Sequence, residues 1–131
     1  MMERQAVLDA SAMVDLLLRG PLARAIDARI SGWSLYAPAH FDAEILSAIG
    51  HLHRAGALSP ARAGRLVDIA AAAPVVRHPL PELLVGAWRR RERLRLVDAL
   101  YVELAERLGV VIVTTDAALA RTHEAAELVT T

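Results

Sequence analysis

Residues 6–12 read Ala-Val-Leu-Asp-Ala-Ser-Ala, and Met13-Val14-Asp15-Leu16-Leu17-Leu18 follows at helical spacing. A short apolar run that ends in an acid and passes straight into a helix has few places in a fold. It reads as a strand covered on both faces, because a half-buried strand would alternate. Asp9 then stands at the strand's C-terminal end, where ligands sit in an open α/β sheet. Val110-Val111-Ile112-Val113-Thr114 repeats the pattern, with Asp116 after the run and a helix after Asp116. Parallel strands place both acids on one edge of the sheet.

Punctuation by Gly and Pro divides the rest. The expected strands are Gln5–Ala10, Trp33–Ala37, a short run Pro74–His78, Val110–Thr114 and an edge strand Glu127–Val129. The expected helices run from Ser11 to Arg19 with Gly20 as C-cap, then Leu22–Ile30, His40–Arg54, Ala61–Ala73, Glu82 to about Leu94, Val97–Leu108 and Asp116–Thr122. Ser59-Pro60 supplies an N-cap and a proline at the first helical position. Strands alternating with helices predict a three-layer α/β/α fold with a mostly parallel sheet of four to five strands. A length of 131 residues fits a single domain, 1–131.

Composition narrows the chemistry. The chain has no cysteine, which removes disulfides, thiolate metal sites and Cys nucleophiles. Formal net charge is zero, so the whole chain has no basic pull toward nucleic acid. All 15 basic residues are Arg, the side chain whose fork suits phosphate. The hydrophobic share of 55% is high for a small domain, although much of it is Ala. No apolar run approaches the ~20 residues that span a bilayer. No signal peptide is visible, so a cytoplasmic protein is expected.

Four acids stand apart from the solvated ones. Asp9 and Asp116 end buried strands; the competing reading is an acid favoured by a helix N-terminus. Glu44 lies in a first helical turn beside Ile45, which belongs to the apolar stripe Phe41, Ile45, Ala48, Ile49 and Leu52. Asp42, roughly 200° round that helix, should point elsewhere. Asp98 sits inside Leu96-Val97-Asp98-Ala99-Leu100-Tyr101-Val102. A carboxylate in such surroundings is paired or binds a metal, and an Arg salt bridge is the plainer alternative. Four converging carboxylates repel one another, and a hard dication such as Mg²⁺ or Mn²⁺ relieves that. Such an ion activates water and neutralises a phosphoryl group. Ser11 reads either as a plain N-cap or as a residue orienting Asp9 or a phosphate oxygen, and Thr114 or Thr115 either as a residue orienting Asp116 or as an ordinary strand-end Thr.

These motifs resemble the PIN-domain family, and within it the VapC-type toxins of bacterial toxin–antitoxin pairs. The resemblance rests on Val7-Leu8-Asp9-Ala10-Ser11-Ala12, Glu44-Ile45-Leu46, Leu96-Val97-Asp98-Ala99-Leu100-Tyr101 and Val113-Thr114-Thr115-Asp116, in order and at the family's spacing. It implies a Mg²⁺- or Mn²⁺-dependent endoribonuclease with acidic positions at Asp9, Glu44, Asp98 and Asp116 and hydroxyl positions at Ser11 and Thr114. It also implies a homodimer and a small VapB-like antitoxin whose C-terminal segment covers the site.

Other constellations are weaker. Trp88-Arg89-Arg90-Arg91-Glu92-Arg93-Leu94-Arg95 is the only basic cluster, and Arg89, Arg90, Arg91 and Arg93 are candidates for RNA or antitoxin contact. A solvated helix face explains them equally well. His123-Glu124 begins a zincin-like motif that lacks its second His. An aspartyl phosphotransferase would carry a second Asp where Ser11 stands. A receiver-like module would need a Lys, and the chain has none. A PIN fold kept only for binding RNA or protein is the remaining alternative; loss of one of the four acids would support it, and all four are present.

Overall fold

The computed structural model describes residues 4–130. It contains a five-stranded sheet in the order β3-β2-β1-β4-β5. The strands are β1 (Gln5–Leu8), β2 (Ser34–Pro38), β3 (Val75–His78), β4 (Val111–Thr114) and β5 (Ala126–Leu128). Every pairing is parallel, with Val7 in register with Tyr36 on one side and Ile112 on the other. A central parallel strand is covered on both faces, and Ala6, Val7 and Leu8 are fully buried. The chain builds outward from β1 to β3, then crosses back to β4 and out to β5. The sheet order therefore reverses between β1 and β4, and the crevice at their C-terminal ends is the place for a ligand.

Seven helices flank the sheet: α1 (Ala10–Leu18), α2 (Ala23–Ile30), α3 (Phe41–Arg54), α4 (Pro60–Ala72), α5 (Leu84–Trp88), α6 (Leu96–Leu108) and α7 (Ala117–Thr122). One group packs around α1, which touches α2, α3, α4 and β4; on the other side α6 lies over β1, β2 and β4 and against α5. The α3 stripe buries Phe41, Ile45 and Ile49, and Tyr101, Leu104, Leu83 and Ile112 complete the core. None of the described helices is long and apolar enough to cross a membrane.

Several boundaries differ from expectation. The first strand stops at Leu8, because Asp9 is already the residue before α1, with extended backbone. Gly20 is not the C-cap of α1. Arg19 takes the left-handed conformation (φ 52°), and Gly20 instead makes room for Asp15. The Asp15 carboxylate accepts the Leu22 N–H at 2.9 Å, and a Cβ on Gly20 would lie 2.3 Å from it.

The fifth helix is shorter still. A single 3₁₀ turn at Pro81–Leu83 leads into α5, which ends at Trp88 rather than near Leu94. Arg90 is the reason. Its guanidinium donates to the Gly86 carbonyl at 3.0 Å, the acceptor that its own backbone N–H would use in a continuing helix. The same guanidinium pairs with Glu103 and Glu106 on α6. The last strand sits one residue earlier than expected, at Ala126–Leu128.

Candidate active site

Asp9 leaves β1 at the reversal point, tied to β4 by its backbone N–H, which donates to the Val113 carbonyl at 3.0 Å. Its side chain is 6% exposed. Oδ2 accepts two hydroxyl bonds, from Ser11 Oγ and from Thr114 Oγ1, each at 2.7 Å. Each hydroxyl is in turn fixed by a backbone donor: Ser11 Oγ accepts the Thr115 N–H at 3.2 Å, and Thr114 Oγ1 accepts the Asp116 N–H at 2.9 Å. Both hydroxyl protons are therefore committed to Asp9, and the carboxylate has one orientation. Burial nevertheless pushes its pKa up, against the two hydroxyl bonds, and the charges of Asp98 and Asp116 push the same way.

This corrects the plain N-cap reading of Ser11. It is the second residue of α1, and its hydroxyl serves Asp9 rather than a helix end. It also divides the two threonines. Thr114 links Asp9 to the backbone of Asp116, whereas Thr115 contributes through its backbone N–H.

Asp116 caps α7, with Oδ1 accepting the Ala118 N–H at 2.9 Å and the Leu119 N–H at 3.4 Å. The helix-terminus reading is thus realised at this residue, and Oδ2 remains directed at the cleft, 4.0 Å from Arg95. Glu44 enters from the first turn of α3. Tyr101, fully buried on α6, donates its hydroxyl to Glu44 Oε1 at 2.7 Å. His40 stands one helical turn before Glu44, 3.5 Å from the same oxygen, and its ring lies edge-on to Tyr101. Burial raises the Glu44 pKa despite the Tyr101 bond and His40, and the charges of Asp9 and Asp98 raise it further. Asp42 points away, as its angle predicts, and pairs with Arg77 at 3.0 Å.

Asp98 opens α6 and is paired with Arg95, Nε to Oδ2 at 3.0 Å and Nη2 to Oδ1 at 3.4 Å. The plainer alternative, an arginine salt bridge, is therefore present as well. Tyr101 and His40 escaped the sequence reading, and Arg95 entered it only as the last member of the basic cluster. Tyr101 and Asp98 are three apart on one helix, and His40 and Glu44 four apart on another, spacings that share a face and were the available signal.

The arginine cluster divides. Arg90 is committed to Glu103 and Glu106. Arg91 stacks over the Trp88 ring at 4.7 Å. Arg89 and Arg93 are exposed.

The donor set suits a hard cation. Asp9 feels Asp98 and Asp116, and Glu44 feels Asp9 and Asp98, so the four carboxylates share one field. The guanidinium of Arg95 already stands in as a cation on the Asp98 and Asp116 side. Among the described residues no three Asp, Glu or His side chains form a ready-made cage. That pattern fits an ion held by one or two carboxylates while keeping its water, as Mg²⁺ does.

The PIN domain family model matches residues 6–125. The chain belongs to the PIN-domain family. It is 52% identical over 126 residues to Ribonuclease VapC3 of Mycobacterium tuberculosis, covering 95% of this chain and 92% of that protein. Among solved structures, PAE2754 from Pyrobaculum aerophilum superposes with a TM-score of 0.68 and 26% identity, over 95% of this chain and 82% of that one. A chain of a toxin–antitoxin complex from Klebsiella pneumoniae shares the fold at a TM-score of 0.68 and 15% identity, over 93% of this chain and 95% of that one. The PIN sheet thus accounts for the reversal point at which these acids meet.

Proposed function

We propose that this chain is an endoribonuclease, the toxin of a VapBC-type toxin–antitoxin pair, which hydrolyses RNA phosphodiester bonds in the presence of Mg²⁺ or Mn²⁺. The observation that carries the reading is the uncompensated Asp9. It is a buried carboxylate, pinned by two hydroxyls and crowded by like charges, at the reversal point of a parallel sheet. The likeness to Ribonuclease VapC3 supports it.

One or two of Asp9, Glu44, Asp98 and Asp116 would hold the ion directly, and the others would balance its charge. When bound, it neutralises phosphoryl charge and activates water for attack. The chain's own part is positioning and repulsion. Ser11 and Thr114 fix Asp9, and Tyr101 fixes Glu44. Without a dication the four carboxylates repel an RNA phosphate, so substrate enters only a loaded site. Arg89, Arg91 and Arg93 supply phosphate contacts at the rim, and an acidic antitoxin segment would compete for them. The same reading includes a homodimer through the exposed apolar side of α5 and a cytoplasmic setting.

The test is cleavage of a tRNA, rRNA and mRNA panel by the purified chain, freed of any co-purifying partner, in Mg²⁺, Mn²⁺ and EDTA. Cleavage should need the metal, leave 5′-phosphate and 3′-hydroxyl ends, and fall at least ~100-fold in Asp98→Asn with folding intact. Cleavage that survives both EDTA and Asp98→Asn, or ends in a 2′,3′-cyclic phosphate, would reject the carboxylate mechanism.

A further inference from the structure

Arg95 is oddly placed for a residue that serves only the fold. It is the residue before α6, where a side-chain oxygen would satisfy the first N–H groups, and it makes no side-chain cap. A cation there also opposes the positive end of the helix dipole. Its guanidinium is 73% exposed, whereas Asp98, its partner, is 14% exposed. The other well-paired arginines hold elements together: Arg77 binds the carbonyls of Ala70 in α4, Ala73 after it and Val75 in β3, and Arg90 joins α5 to α6. Arg95 reaches only Asp98 and, at 4.0 Å, Asp116. It is thus a surface cation resting on two of the four acids, at the point where another cation would have to enter.

We propose that Arg95 is an exchangeable counter-ion of this site: it holds the Asp98 and Asp116 side of the cleft, and passes to a backbone phosphate of the bound RNA once a divalent cation takes those oxygens. The inference rests on the nuclease reading above. It follows from charge and exposure. The fork is bidentate on Asp98, and the same fork fits a phosphate. A buried acid stays where it is, and a long exposed side chain moves. Arg95 then opposes metal entry to the free protein and favours RNA in the loaded one, so that loading and substrate capture are linked.

The experiment titrates Mn²⁺ into the full chain and reads the free ion by its paramagnetic resonance, comparing wild type with Arg95→Ala and Arg95→Gln. Both variants should fold, since the side chain is mostly exposed, and melting curves check this. Each should bind Mn²⁺ about tenfold tighter, as expected for removing one nearby charge from a dication's site. In RNA cleavage each should raise KM about tenfold with a smaller change in kcat, and Arg95→Lys should recover part of that loss. Mn²⁺ affinity that is unchanged or weaker in both variants would make Arg95 a tether that orients Asp98, and would overturn the proposal. Absence of Mn²⁺ binding in the wild type and in both variants would remove the nuclease reading itself.

Discussion

Burial raises the pKa of Asp9 above the ordinary carboxylate range, and the bonds from Ser11 and Thr114 offset that only in part. The sign follows from linkage. The folded chain holds the proton more tightly than the unfolded one, so this residue's contribution to stability is complete below the ordinary pKa and is lost as pH rises through the raised one. In chelator at pH 8, Asp9→Asn should therefore melt higher than wild type. The difference should close toward pH 4, and added Mg²⁺ should stabilise wild type alone. A lower melting temperature for Asp9→Asn at pH 8 would show that the two hydroxyls outweigh burial. Asp9 and Asp116 were legible in sequence because an acid after a buried strand is a local pattern. The role of Ser11 was not, because a hydroxyl one residue into a helix looks like a cap until Thr114, 103 positions away, is brought beside it.

At the scale of elements, the contact between α5 and α6 shows what periodicity misses. The run from Glu82 to Leu94 has the composition of one helix, but Arg90 takes the Gly86 carbonyl and ends it early. Gly86 has a second task. A Cβ there would lie 2.1 Å from the Glu103 carboxyl carbon, so the bare backbone is what lets Glu103 reach Arg90. An Ala for Gly exchange inside a helix ordinarily stabilises by ~0.5–1 kcal/mol. Gly86→Ala should instead destabilise by about 2 kcal/mol in urea melts, and adding Glu103→Ala should recover most of the loss. Additive losses would mean that Glu103 is not the obstacle. Burial pulls Glu103 upward, yet the bonds from Arg107 and Arg90 win and its pKa is lowered, so this network is complete above the ordinary carboxylate pKa and weakens as acid protonates it. The helices with strong Gly and Pro signals, α3, α4 and α6, lie close to where the sequence puts them. The fifth does not, because its end is set by a partner on another helix.

For the whole molecule, five of the ten exposed large apolar side chains among the described residues lie on α5 and at the start of α6. Leu84, Val85 and Trp88 on α5 are 55%, 63% and 56% exposed, and Leu96 and Val97 at the start of α6 are 45% and 43% exposed. Singly exposed apolar residues are ordinary, but several on one element mark an interface. The wild-type chain should sediment as a dimer and Trp88→Glu as a folded monomer. A wild-type monomer across the accessible concentration range would reject that assignment. The α/β class and parallel sheet were visible in the alternation of runs, as was the pairing of Asp9 with Asp116 on one edge.

The order of the sheet also has a consequence in time. Its central strand, β1, pairs with β4, and Thr114 on β4, which completes the setting of Asp9, is joined to it across 105 residues. A growing polypeptide that has already displayed Asp9, Glu44 and Asp98 still lacks the strand that assembles them. Since domains are laid down from the N-terminus, the site stays incomplete until β4 has been made. A product cut short before β4 would be inert whatever acids it carries.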